Sequence, residues 1–160
     1  MTSYQVKIAA EAFAAGFFAH AECDVSVQYG ANQPIYDHIA ARPPKLVGVS
    51  VKGSQDGSWG LTQSHLVAAN YASAIDAWLA RHAEVLFCFV QFQRVGVGAA
   101  PRAYLASASE VAAHLRTVRG GLGDTILHEQ HTYSRGRAAG ITDSIPASWV
   151  LDRARIDHFL

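Results

Sequence analysis

The segment Leu46-Val-Gly-Val-Ser-Val-Lys52 alternates without interruption, the signature of a strand with one buried face. Val47, Val49 and Val51 fall on the core side, and Gly48, Ser50 and Lys52 on the other, because strand side chains repeat every two residues. Just upstream, Arg42-Pro-Pro closes a second short strand over 35–40, since proline cannot donate to a ladder. Gly53-Ser-Gln-Asp-Gly then provides a polar exit. Residues 35–57 therefore form the hairpin around which the chain is organised. It carries Asp37 on its first strand and Ser50 and Lys52 on its second.

The flanking sequence supplies partners for that hairpin. Residues 4–21 are alanine-rich and apolar nearly all round, which predicts a helix packed on several sides, capped by Thr2 or Ser3, with Gly16 marking a close helix crossing. Asp24-Val-Ser-Val-Gln-Tyr alternates as a half-buried strand, and Gly30-Ala-Asn-Gln-Pro reads as the turn after it. Three consecutive strands with such short turns predict an antiparallel meander. After a flexible loop bearing Trp59, a second helix is expected over 65–83, with Val67, Tyr71, Ile75, Trp78 and His82 forming its stripe. Residues 84–93 read as a largely buried central strand, and 102–106 as its neighbour. Ser107 or Ser109 starts a third helix running to about Arg119, and Gly120-Gly-Leu-Gly makes a turn. Residues 125–133 read equally as strand or irregular chain. Residues 149–160 read as a terminal helix or docked tail, anchored by Trp149, Ile156 and Phe159. No repeat or linker interrupts the pattern, so 1–160 is expected to be a single α/β domain.

Composition narrows the function. The chain has 160 residues, 13 basic and 13 acidic, and this zero net charge argues against wholesale electrostatic adhesion to nucleic acid or membrane. Eight of the ten arginines nevertheless lie between Arg94 and Arg155, so a local basic patch is open. Cys23 and Cys88 lack zinc-site spacing and read as a reduced, buried pair in a cytoplasmic protein. The start lacks the features of a signal peptide, and the longest apolar run, 85–90, is too short to span a bilayer.

Metal-assisted phosphodiester hydrolysis needs carboxylates to hold a cation and a lysine to position water or neutralise developing charge. Asp37, Lys52 and Glu11, the lone acid between Ile8 and Ala19, fit that requirement on three adjacent elements. Each has a plainer reading as well. Asp37 can be a turn carboxylate, Lys52 an edge lysine, and Glu11 the partner of a buried His or Arg. Arg135, Arg137, Arg153 and Arg155 can contact phosphates or remain solvated. Gln91 and Gln93 can line a polar cleft or satisfy core hydrogen bonds. His128-Glu-Gln-His131 spaces its histidines three apart, not the four of a zincin, and reads as exposed polar residues.

The order of helix, three-strand meander, helix and strand resembles the PD-(D/E)XK nuclease superfamily, the restriction-endonuclease-like fold, over roughly the first hundred residues. The parts that carry the likeness are Glu11, Asp24-Val-Ser-Val, Tyr36-Asp37-His38-Ile39 and Val49-Ser-Val-Lys-Gly-Ser. The resemblance implies an α-β-β-β-α-β core with a central mixed sheet flanked by helices. It implies Asp37 as metal ligand, Lys52 as catalytic lysine, Glu11 as accessory acid, and Mg²⁺ or Mn²⁺ as cofactor. Nucleic acid would be the partner, DNA ahead of RNA, contacted through Lys52, Arg135 and Arg137, with a homodimer compatible and no membrane association. The family carries an acid or Gln where this chain has Ser50, and Asp56 on the following loop is the nearest replacement ligand. The alternative is a catalytically inactive nuclease-fold module that binds nucleic acid or protein.

Overall fold

A computed structural model describes residues 1–28 and 35–160. The predicted end of the first strand at Tyr29 and the turn through Pro34 lie outside the described residues. Helix α1 (Ser3–His20) opens on a capping box, in which Thr2 accepts from Gln5 N and the Gln5 side chain accepts from Thr2 N. Strands β1 (Asp24–Val27), β2 (His38–Arg42) and β3 (Lys45–Ser54) form the expected antiparallel meander. Strand β4 (Ser58–Gly60), helix α2 (Tyr71–His82) and strand β5 (Val85–Gln91) follow, and β5 lies parallel to β3. Strand β6 (Arg102–Ser107) runs antiparallel to β5 and leads into α3 (Ala108–Gly121). The main sheet has the order β1-β2-β3-β5-β6, so the protein is α/β with a five-stranded mixed sheet flanked by helices.

Apolar layers cover both faces of the sheet. On one, α1 contributes Ala10, Ala14 and Phe18 against Val49, Val51, Cys88 and Leu105, with Ile156 of α4 (Arg153–Phe159) completing the layer. On the other, Ile75 and Trp78 of α2 and Val111 and Leu115 of α3 cover Phe87 and Phe89. Strand alternation thus decides which layer each β3 side chain meets: Val49 and Val51 face α1, and Ser50 and Lys52 face the α2 side.

Several expectations are corrected by the fold. The second strand starts at His38, three residues late, and Asp37 sits in a bend before it. Helix α2 starts at Tyr71 rather than residue 65, because Ala68 and Ala69 adopt left-handed backbone and Asn70 caps Ser73 N. Val67 consequently leaves the helix stripe and is 74% exposed. Gly16 marks no crossing: a Cβ there would meet nothing within 4 Å. The outer side of α1 is open, with Tyr4 and Ile8 exposed, so this helix is packed on one face only. The loop expected at 53–60 instead ends in β4, which pairs with β7 (Ile126–His128) and buries Trp59 against Phe89 and Tyr104. A second small hairpin joins β8 (Gln130–Thr132) to β9 (Thr142–Ser144).

Candidate functional site

Asp37 stands where β2 leaves β3. Its backbone N–H still donates to Val49 O, 2.9 Å away, and its carbonyl accepts from Gln28 N at 2.9 Å. One residue further out, the backbone ladder ends and the side chain replaces it. Val51 N donates to Asp37 Oδ2 at 2.7 Å, and Ser50 Oγ approaches the same oxygen at 3.4 Å. A buried N–H without a partner is costly, so the carboxylate is held by the strand's own requirement for an acceptor. Asp37 is half-buried and Ser50 almost fully buried.

Glu11 arrives on α1, where Val6, Ala10 and Ala14 face the sheet and Gly53 lets the helix lie close. A Cβ at Gly53 would sit 2.9 Å from both Val6 Cγ1 and Ala10 Cβ, which fixes the approach of the helix to β3. The Glu11 side chain is only 13% exposed, with Lys7 Nζ 3.5 Å from Oε1 one turn earlier. Burial raises the Glu11 pKa, the Asp37 carboxylate raises it further, and Lys7 and Lys52 oppose both. Lys52 is half-buried on β3. Burial lowers its pKa, while Asp37 and Glu11 pull the other way and Lys7 adds to the lowering. Glu11 and Lys52 thus each feel the other's charge and that of Asp37, Glu11 from the α1 side of β3 and Lys52 from its α2 side.

Other predicted residues lie elsewhere. Asp56 ties up its own turn, Oδ1 accepting from Ser54 Oγ at 2.9 Å and from Ser58 N and Oγ at 3.0 Å each. No three His, Cys, Asp or Glu side chains gather as a metal-holding group among the described residues, so Asp56 does not complete a set with Glu11 and Asp37. Arg135 and Arg137 are exposed on the segment between β8 and β9, which packs beside α3, and neither is ion-paired among the described residues. Arg153 and Arg155 are committed to structure: Arg153 pairs with Glu22 and Asp157, and Arg155 with Glu110 and Leu105 O. His128 and His131 stack with ring centroids 4.4 Å apart, and His128 is half-buried rather than exposed. Gln91 is a core bridge, donating to Ser54 Oγ and accepting from Gln93 N.

Two neighbours escaped the sequence reading. Lys7 was signalled by its i,i+4 spacing to Glu11. His38 gave less warning: it is fully buried beside Asp37, burial lowers its pKa, and neither ring nitrogen has a hydrogen-bond partner among the described residues. A histidine on the core side of an otherwise apolar strand was the available signal. Compared with known protein families, curated proteins and solved structures, the chain matches none.

Proposed function

We propose that the chain is a metal-dependent phosphodiester hydrolase built on the restriction-endonuclease-like plan and acting on nucleic acid. The observation that carries this reading is the Asp37 carboxylate, held where β2 leaves β3 by Val51 N and Ser50 Oγ, with its charge felt by both Glu11 and Lys52. Mg²⁺ is commonly held by one or two carboxylates, with substrate phosphate and water filling its remaining positions. Glu11 and Asp37 provide such a pair, and Mn²⁺ suits the same oxygens. Bound there, the cation would polarise the phosphoryl oxygen and draw water toward it. The chain's own residues do the rest. Val51 N and Ser50 Oγ orient the Asp37 carboxylate, and Lys52, partly desolvated, donates to charge developing on phosphorus-bound oxygen. Arg135 and Arg137, unpaired among the described residues, would contact backbone phosphates, with DNA the first substrate to test. Both cysteines are free and buried, which suits a cytoplasmic setting. No helix among the described residues is long and apolar enough to cross a membrane.

A second reading draws on Ser50 and on the lack of a three-ligand group among the described residues. It makes the chain a nuclease-like module that binds nucleic acid without cutting it. Incubation of DNA and RNA with Mg²⁺ or Mn²⁺ separates the two. Metal-dependent cleavage that disappears in Asp37→Asn supports the hydrolase, and cleavage that survives in that variant removes the assignment. An inactive wild type whose Ser50→Glu variant cleaves supports the second reading.

A further inference from the structure

The parallel strands β3 and β5 end at Ser54 and Gln91, and the residues just beyond both ends enclose an open cleft of about 720 Å³. In α/β sheets, ligands bind outside the carboxyl ends of the strands, and a volume of this order accommodates a small organic molecule. The walls are set before any ligand arrives. Gln91 bridges the two strand ends. Arg102 grips Glu129 at 2.7 and 2.8 Å, and Tyr104 OH donates to the same carboxylate at 2.7 Å. Arg102 and Glu129 therefore neutralise each other.

Arg94 differs. It lines the cleft, is exposed, and has no hydrogen bond or ion pair among the described residues. Its φ of 58° lies in the left-handed region, in a turn closed by Val95 N donating to Phe92 O. A glycine would adopt that conformation without strain, so the backbone cost accompanies a side chain that does nothing for the fold. Across the cleft, Asp56 has Oδ1 fully engaged, while Oδ2 takes no hydrogen bond from the described residues. The cleft thus offers one free guanidinium, one carboxylate oxygen able to accept, and an apolar wall from Ile145 and Val150.

We propose that this cleft binds a small organic phosphate of nucleotide size. Arg94 takes the phosphate oxygens, Asp56 accepts from hydroxyl or amino hydrogens, and the apolar wall covers the remainder. The inference assumes nothing about Asp37 and stands whether or not that site cleaves phosphodiesters.

Adenosine 5′-monophosphate and adenosine, each titrated into the ¹⁵N-labelled full chain, provide the test. The expected result is saturable amide shifts at Gln93, Arg94 and Gln130 with the monophosphate. Adenosine should bind at least about tenfold more weakly, the usual worth of a charge-assisted hydrogen bond. Arg94→Gly relieves the backbone strain, so it should unfold at no lower temperature than wild type yet lose about tenfold in affinity for the monophosphate. No saturable shift with the monophosphate, equal binding of adenosine, shifts centred on Lys7 and Lys52, or unchanged affinity in Arg94→Gly would each overturn the proposal.

Discussion

Asp37 has a structural duty and a proposed chemical one, and two substitutions separate them. Asp37→Ala leaves Val51 N–H without its acceptor, which should cost about 1–3 kcal/mol. Asp37→Asn keeps a carbonyl oxygen for that bond and removes only the charge. Calorimetry should therefore find the alanine variant clearly less stable than the asparagine variant, with both inactive if the hydrolase reading holds. Equal stability of the two would show that the Val51 bond contributes nothing measurable. Glu11 has the opposite signature. Its folded pKa is raised, first by burial and then by Asp37. Its contribution to stability is thus present in full below the unfolded carboxylate value and is lost as pH rises through the folded pKa. Glu11→Gln should raise the melting temperature at pH 7, with the gain shrinking toward pH 4. A gain of the same size at both pH values would mean that charge is not the cause. The sequence made Glu11, Asp37 and Lys52 legible because each is a charge set in an apolar or alternating run. Arg94 was not legible, because a left-handed turn leaves no mark when its residue is not glycine.

At the scale of elements, strand alternation and capping residues were readable locally and led to the meander, whereas the mixed sheet was expected only from the resemblance. What misled was contact with distant chain and backbone conformation that apolar spacing does not report. Trp59 looked like a loop aromatic because β7, the strand that holds it in the core, lies far downstream. The start of α2 was set by Asn70 and by the left-handed Ala68 and Ala69, although the apolar spacing continued back to Val67. Gly16 on the open side of α1 and Gly53 beneath that helix behave oppositely. Gly16→Ala adds a methyl group to open space in mid-helix and should stabilise by about 1 kcal/mol. Gly53→Ala forces a Cβ to within 2.9 Å of Val6 and Ala10, and should destabilise by about 1–3 kcal/mol while displacing the helix that carries Glu11. Urea midpoints that move in the same direction for both variants would contradict this account of how α1 seats on the sheet.

For the whole molecule, the unequal distribution of aromatic residues makes the two layers separately observable. Trp59, Trp78 and Trp149 are all buried on the α2–α3 side, and the α1 side contains no tryptophan. Tryptophan fluorescence therefore reports one layer, while far-ultraviolet circular dichroism also includes α1. The layers share β5 and β6, whose side chains alternate between them, so removing one layer exposes the back of the other. That coupling predicts a single cooperative transition, with the two signals coinciding in denaturant. A circular-dichroism transition that precedes the fluorescence change would mean that α1 detaches first. Glu11 would then leave Asp37 and Lys52 while the rest of the sheet stays folded, and the proposed site would be controlled by how firmly one helix is seated.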